Sequence, residues 1–132
     1  MSGILSLAKN ALRQKIETHE FEKKYTLQQR QKEVKSLSMR HPSRVPVLIY
    51  PADKYQPKIE KNKYLVPKDI SMSQFLYIIK KYISIQSNEA IFLYTKNNSI
   101  VNSSKMIAEV YNEHKSEDDF LYFIYSVENT FG

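Results

Sequence analysis

From Arg44 onward the hydrophobic period switches back and forth between two residues and 3.6, and any fold for this chain must accommodate that order. Arg44-Val-Pro-Val-Leu-Ile-Tyr50 is a β-run, and its Pro46 suits an edge or a ladder position whose N–H is not needed. A lysine-rich loop from Ala52 to Lys63 leads into a short second strand, Tyr64-Leu-Val-Pro67. Ser71-Met-Ser-Gln74 has capping-box spacing, in which hydroxyl and amide each satisfy a free N–H of a helix start. Phe75, Ile78, Ile79, Tyr82 and Ile83 then recur at helical steps. Ala90-Ile-Phe-Leu-Tyr94 is a third strand, turned by Asn97-Asn98 towards a short fourth near Ile100-Val101. Ser103 or Ser104 is placed to cap another helix, which carries Met106, Ile107, Val110 and Tyr111. The last strand runs from Phe120 to Ser126, with its alternating residues expected to fill the core on one face. Glu117-Asp118-Asp119 before it reads as a turn.

The first forty residues are helical in pattern and poor in β-branched residues. Ile4, Leu5, Ala8, Ala11, Leu12 and Ile16 fall at three- and four-residue steps, with Lys9, Arg13 and Lys15 between them. After a break near Thr18-His19, a second helical pattern carries Leu27, Val34 and Leu37. The order is therefore β-β-α-β-β-α-β behind two N-terminal helices, an α+β chain whose final strand leads to a short tail ending in Gly132. That arrangement matches the ubiquitin-like β-grasp. It divides the chain into a helical extension over 1–40 and a ubiquitin-like domain over 41–132. A free glycine carboxylate after a strand is the chemical handle of a protein modifier, because the missing Cβ lets it enter a narrow active site.

Composition narrows the function classes. With no cysteine, the chain offers no disulfide, thiolate metal site or thiol nucleophile. His19, His41 and His114 are scattered, without an acidic or serine partner at motif spacing, and two glycines cannot build a phosphate-cradling loop. No catalysis, cofactor or metal is expected. No stretch approaches the ~18 apolar residues of a membrane span, and the apolar run at the start is too short for a secretory signal, so a cytoplasmic location is the plain reading. Residues 1–68 hold 15 Lys and Arg against 6 Asp and Glu, a balance of +9, and residues 69–132 hold 5 against 8, or −3. The basic half suits nucleic acid, anionic lipid or an acidic peptide, or is a plain solvated surface.

Two binding readings follow. Ten tyrosines in a basic chain resemble the ingredients of a base-stacking platform. However, an RNA-recognition sheet wants a glycine-bearing aromatic motif on a central strand, and the last strand has no glycine. Glu60-Lys-Asn-Lys-Tyr-Leu-Val-Pro67 instead sets lysines at one end of an apolar strand. An edge there can accept an added β-strand from an acidic peptide, or it can be an ordinary edge protected by lysine. Tyr64, Lys61 and Lys63 are expected to point outward by alternation and charge.

Five segments in register extend this reading. They are His41-Pro-Ser-Arg-Val-Pro-Val47, Lys63-Tyr-Leu-Val-Pro67, Ser73-Gln-Phe75 with Ile79-Lys80-Lys81, Tyr111-Asn-Glu-His114, and Asp119-Phe-Leu-Tyr122 through to Glu128-Asn-Thr-Phe-Gly132. Together they resemble the autophagy-related protein eight family, the GABARAP and light-chain-3 ubiquitin-like modifiers. The resemblance implies attachment of Gly132 to the amine of phosphatidylethanolamine by activating and conjugating enzymes, whose cysteines supply the chemistry. It also implies a delipidating cysteine protease as a partner, and location on autophagosome membranes once lipidated. Partners bearing an aromatic-x-x-aliphatic motif with acidic neighbours are implied too, and no nucleic acid. By position, the resemblance assigns an aromatic pocket to Glu33, Leu37, Pro46, Lys61, Lys63, Leu65 and Phe120. It assigns an aliphatic pocket to Tyr64, Val66, Pro67, Ile70, Phe75 and Ile78, with Arg44 near the rim; about half of such a list is expected to be core. A basic ubiquitin-like module that is joined to protein lysine or binds RNA is the competing reading.

The chain departs from the family pattern in several places. Tyr50-Pro51 stands where Glu-Lys is usual, Val101-Asn-Ser-Ser104 lacks the usual proline pair, and the Ala52–Lys61 loop is one residue short. The N-terminal segment is about ten residues long in excess, with Phe21-Glu22-Lys23 sitting early.

Overall fold

The computed structural model describes residues 21–129. The expected basic helix over 4–16 and the Gly132 tail lie outside the described residues. Residues 21–24 are helical, and after a break the elements are α1 (Leu27–Arg40), β1 (Arg44–Pro51), β2 (Lys63–Pro67), α2 (Met72–Ile79), β3 (Glu89–Thr95), α3 (Ile107–His114) and β4 (Leu121–Asn129). The four strands form one mixed sheet in the order β2-β1-β4-β3. β1 and β4 run parallel at its centre, and β2 and β3 pair antiparallel at the two edges. This is the ubiquitin-like arrangement that the periodicity predicts.

Local chemistry explains the element ends. α1 starts at Thr26, whose Oγ1 accepts the Gln29 N–H at 3.1 Å while the Gln29 side chain accepts the Thr26 N–H at 2.8 Å. Ser71 and Gln74 repeat that exchange at α2, as their spacing predicts. Two neighbouring expectations are corrected. Neither Ser103 nor Ser104 caps α3: Asn102 Oδ1 takes the Ser104 N–H in a turn, and the Glu109 carboxylate accepts the N–H of the actual cap, Met106. The fourth strand near Ile100 shrinks to a single antiparallel bridge with Tyr94, because the Asn97-Asn98 turn delivers Ile100 to the surface, where it is 64% exposed. Asn98 takes φ 65°, the left-handed region that asparagine tolerates. α2 stops at Ile79, and Ile83 pairs with Ile59 of the long loop rather than extending the helix.

The main core lies between one sheet face and α2 and α3. Val45, Val47, Ile49, Tyr64, Val66, Leu121, Phe123 and Tyr125 meet Met72, Phe75, Ile79, Ile107 and Val110 there. The opposite face is also covered, which corrects the expectation for the last strand: Leu121 to Ser126 are all buried. Val34 of α1 closes over Leu48, Phe120 and Tyr122, with Phe21 and Tyr50 at the margin. A parallel central strand needs both faces dry, and α1 supplies the second cover.

Candidate functional site

β2 is one of the sheet's two edges, and the ladder phase decides what that edge presents. Lys68 N–H bonds to Ser43 O at 3.0 Å and Ile49 N–H to Asn62 O at 2.8 Å. Hydrogen-bonded pairs alternate in an antiparallel ladder. Between those two bonds, therefore, Val45–Val66 and Val47–Tyr64 are the bonded pairs, while Pro46 and Leu65 face each other without exchanging bonds. Pro46 thus sits in an inner strand at no cost to β2, and the backbone groups of Lys63 and Leu65 point to the open edge. One of them is already engaged: Arg44 Nη1 donates to Leu65 O at 3.2 Å.

Side chains of β2 alternate between two surfaces. On the α1 surface lie Lys63, which is exposed, and Leu65 and Pro67, which are half-buried. Lys63 Nζ meets Glu33 Oε1 of α1 at 2.5 Å and stands 5.8 Å above the Phe120 ring. Phe120 is 0% exposed, Pro46 is buried and Leu37 is half-buried. Glu33, Lys63 and Phe120 therefore come together as one cluster. Lys61 does not join them, because its Nζ lies 5.0 Å over the ring of Tyr64 on the α2 side.

The α2 surface corrects the expectation for Tyr64. The tyrosine is 6% exposed, with its ring edge-on to Phe75 at 6.2 Å and Tyr82 at 5.6 Å. Its hydroxyl is buried without a hydrogen-bond partner, and burial, with Tyr82 and Glu60 nearby, pushes its pKa up. Alternation fixes only that Tyr64 and Lys63 face opposite ways, and the apolar α2 was the better host for the larger ring. Val66 and Phe75 are likewise core, whereas Pro67, Ile70 and Ile78 remain half-buried around the strand's end.

Sequence reasoning missed what holds α1 over this cluster. Asp118 is 0% exposed, and its Oδ2 accepts from Arg30 Nη1 at 2.7 Å and from the Tyr122 hydroxyl at 2.5 Å, while its Oδ1 takes the Phe120 N–H at 2.9 Å. Burial opposes the Arg30 charge, but Asp118 and the Tyr122 hydroxyl together more than offset it and leave the guanidinium pKa above its ordinary value. Burial first, and then Asp118, raise the Tyr122 pKa. Asp119 beside it takes φ 66°, so the acidic run is a turn as expected, with one member also serving as a buried anchor.

Under the loop between β1 and β2 lies an open depression of about 310 Å³, lined by Pro51, Asp53, Lys54, Gln56, Lys58, Ile59, Asn62 and Tyr125. The loop is fastened by Tyr125 donating to Pro57 O, by the Val127 N–H on Gln56 Oε1 at 2.7 Å, and by Asn62 Nδ2 on Ile49 O at 2.8 Å. Among the described residues no His, Asp and Glu cluster is arranged to hold a metal ion, and no helix is long and apolar enough to cross a membrane.

Comparison with known proteins agrees with this architecture. A family described as "Autophagy protein Atg8 ubiquitin like" matches residues 29–132. Autophagy-related protein 8c of Arabidopsis thaliana is 40% identical over 113 residues, which cover 85% of this chain and 94% of that protein. Microtubule-associated protein 1 light chain 3 gamma of Homo sapiens is 37% identical over 114 residues, covering 85% of this chain and 78% of the human protein. The crystal structure of Trypanosoma brucei ATG8 superimposes with a TM-score of 0.73 at 34% identity, covering 85% of this chain and 97% of the other. The chain therefore belongs to the Atg8 family of ubiquitin-like autophagy proteins.

Proposed function

We propose that this protein is a modifier, not an enzyme, joined through Gly132 to phosphatidylethanolamine, and that the β2 edge receives partner segments with an aromatic-x-x-aliphatic motif. In this reading residues 41–132 are the modifier body and residues 1–40 its helical extension. The observation that carries the peptide part is the β2 edge itself. Its outward backbone groups lie between an α1 surface with Glu33, Lys63, Leu65 and Pro67 and an α2 surface with Ile70 and Ile78. An added strand takes backbone bonds from the edge and sends alternate side chains to the two surfaces. Family membership supports the lipid part, as does a chain without cysteine that leaves thioester chemistry to activating and conjugating enzymes. Two acyl chains, at about 0.8 kcal/mol per buried methylene, give anchoring that one chain does not. The protein is then cytoplasmic until conjugated and on autophagosome membranes afterwards, with a delipidating cysteine protease reversing the bond.

Two measurements test these parts separately. With activating and conjugating enzymes, ATP and phosphatidylethanolamine vesicles, the wild-type chain becomes membrane-bound and Gly132→Ala does so poorly. Conjugation that proceeds equally without Gly132, or that needs only protein lysine, overturns the lipid part. In titration calorimetry with an acidic aromatic-x-x-aliphatic peptide, Leu65→Ala weakens binding by about 1–2 kcal/mol through lost apolar burial. Lys61→Ala, a loss of exposed charge, stays within ~1 kcal/mol. Equal effects, or tighter binding of RNA with a steep salt dependence, rule the groove out.

A further inference from the structure

We propose that Phe21 is a resident occupant of the aromatic side of the β2 groove, so that a partner's aromatic residue enters by displacing it; this rests on the peptide-binding reading above. Phe120, the ring assigned to receive that aromatic, has no exposed surface in the free chain. What lies on it includes Phe21, edge-on at 5.8 Å with the ring planes 89° apart. A single ammonium, Lys63 Nζ, stands 5.9 Å over Phe21 and 5.8 Å over Phe120. The two contacts a partner would seek at this end, an aromatic surface and a lysine, are thus both held by the chain itself, the lysine also by Glu33.

The attachment is built to come away. The helical turn at residues 21–24 does not run on into α1, since Thr26 caps the next helix and leaves a break at Tyr25-Thr26. Phe21 is only half-buried. Besides its ring contacts with Phe120, Tyr122 and Tyr25, the turn is held by a Glu22–Lys96 ion pair whose side chains are 26% and 32% exposed. Arg30 Nε also bonds to Tyr25 O at 3.2 Å. A single, partly solvated ion pair of this kind is screened by salt. A ligand with an aromatic residue and acidic neighbours replaces the groove contacts in kind: ring for ring, and carboxylate for Glu33 on Lys63. The apparent affinity falls by the fraction of time that Phe21 leaves the site open. The device therefore selects for ligands that carry both the aromatic and the acid.

The test is titration of the full chain with the same acidic aromatic-x-x-aliphatic peptide. Phe21→Ala is expected to tighten binding by about three- to tenfold. Glu22→Lys, which breaks the ion pair with Lys96 but removes no ring of the aromatic cluster, is expected to tighten it as well. Glu22→Lys combined with Lys96→Glu restores the pair with its charges exchanged and returns the affinity towards wild type. Unchanged or weaker binding by Phe21→Ala, with the wild type still binding, overturns the proposal and makes Phe21 a wall of the site. Binding by neither wild type nor any variant removes the groove reading, and this inference with it.

Discussion

Tyr64 shows how much can hang on which face one side chain chooses. Its ring fills core between β2 and α2, while its hydroxyl, carried into that core, finds no partner. A buried hydroxyl without a hydrogen bond carries a desolvation cost and returns nothing. Tyr64→Phe is therefore expected to leave unfolding free energy within ~1 kcal/mol of wild type, or to raise it by that amount, in urea denaturation. Tyr64→Ala removes the ring from a packed site and is expected to lose about 3–5 kcal/mol. A hydroxyl with a stabilising role would instead show as a clear loss in Tyr64→Phe. The large expected loss in Tyr64→Ala is also why Leu65, half-buried on the other surface, is the cleaner probe of peptide binding.

At the scale of elements, what could be read in the sequence was whatever acts over three or four residues. The Ser71–Gln74 box, the apolar steps of α2 as far as Ile79 and the Asn97-Asn98 turn are short-range consequences of side-chain chemistry, and each appears where its spacing puts it. The Thr26–Gln29 box has the same spacing and was there to be found. Contacts between distant segments left no such trace. Arg30 and Asp118 stand 88 residues apart, so no local pattern marks them as partners, and without them α1 is not seen to cover the second face. The same gap explains the last strand. The second face of β4 is buried where Val34 of α1 closes over Tyr122 and where Ala52 and Tyr94 pack on Ile124, not through the strand's own alternation. The candidate peptide site divides in the same way. The strand and its lysines were visible, but which residues share a surface, and that Lys61 leaves Lys63 for Tyr64, depended on packing between β2 and two helices.

For the whole molecule, a chain with ten tyrosines and no cysteine keeps several of its phenols in places where only the neutral form is tolerated. Burial raises the pKa of Tyr64 and Tyr122, and it pushes Tyr111 up to about 12, helped by Asp119 and Asp118. In the unfolded chain a tyrosine ionises near ~10. Between about pH 10 and pH 12 the unfolded state has therefore released the Tyr111 proton while the folded state still holds it. Fewer protons bound by the unfolded chain means stability that is intact below about pH 10 and falls as pH rises. Tyr111 can be isolated because its hydroxyl makes one defined bond, to Asp119 O at 2.6 Å, in the turn that also holds the Asp118 anchor. At neutral pH, Tyr111→Phe is expected to be less stable than wild type by about 1 kcal/mol for that bond. Above pH 10 the wild type loses the Tyr111 contribution and the variant has none to lose, so the gap between the two urea midpoints should close and then reverse as pH approaches 12. A constant gap across that range would mean that Tyr111 ionises alike in both states and that its burial is not what resists alkali.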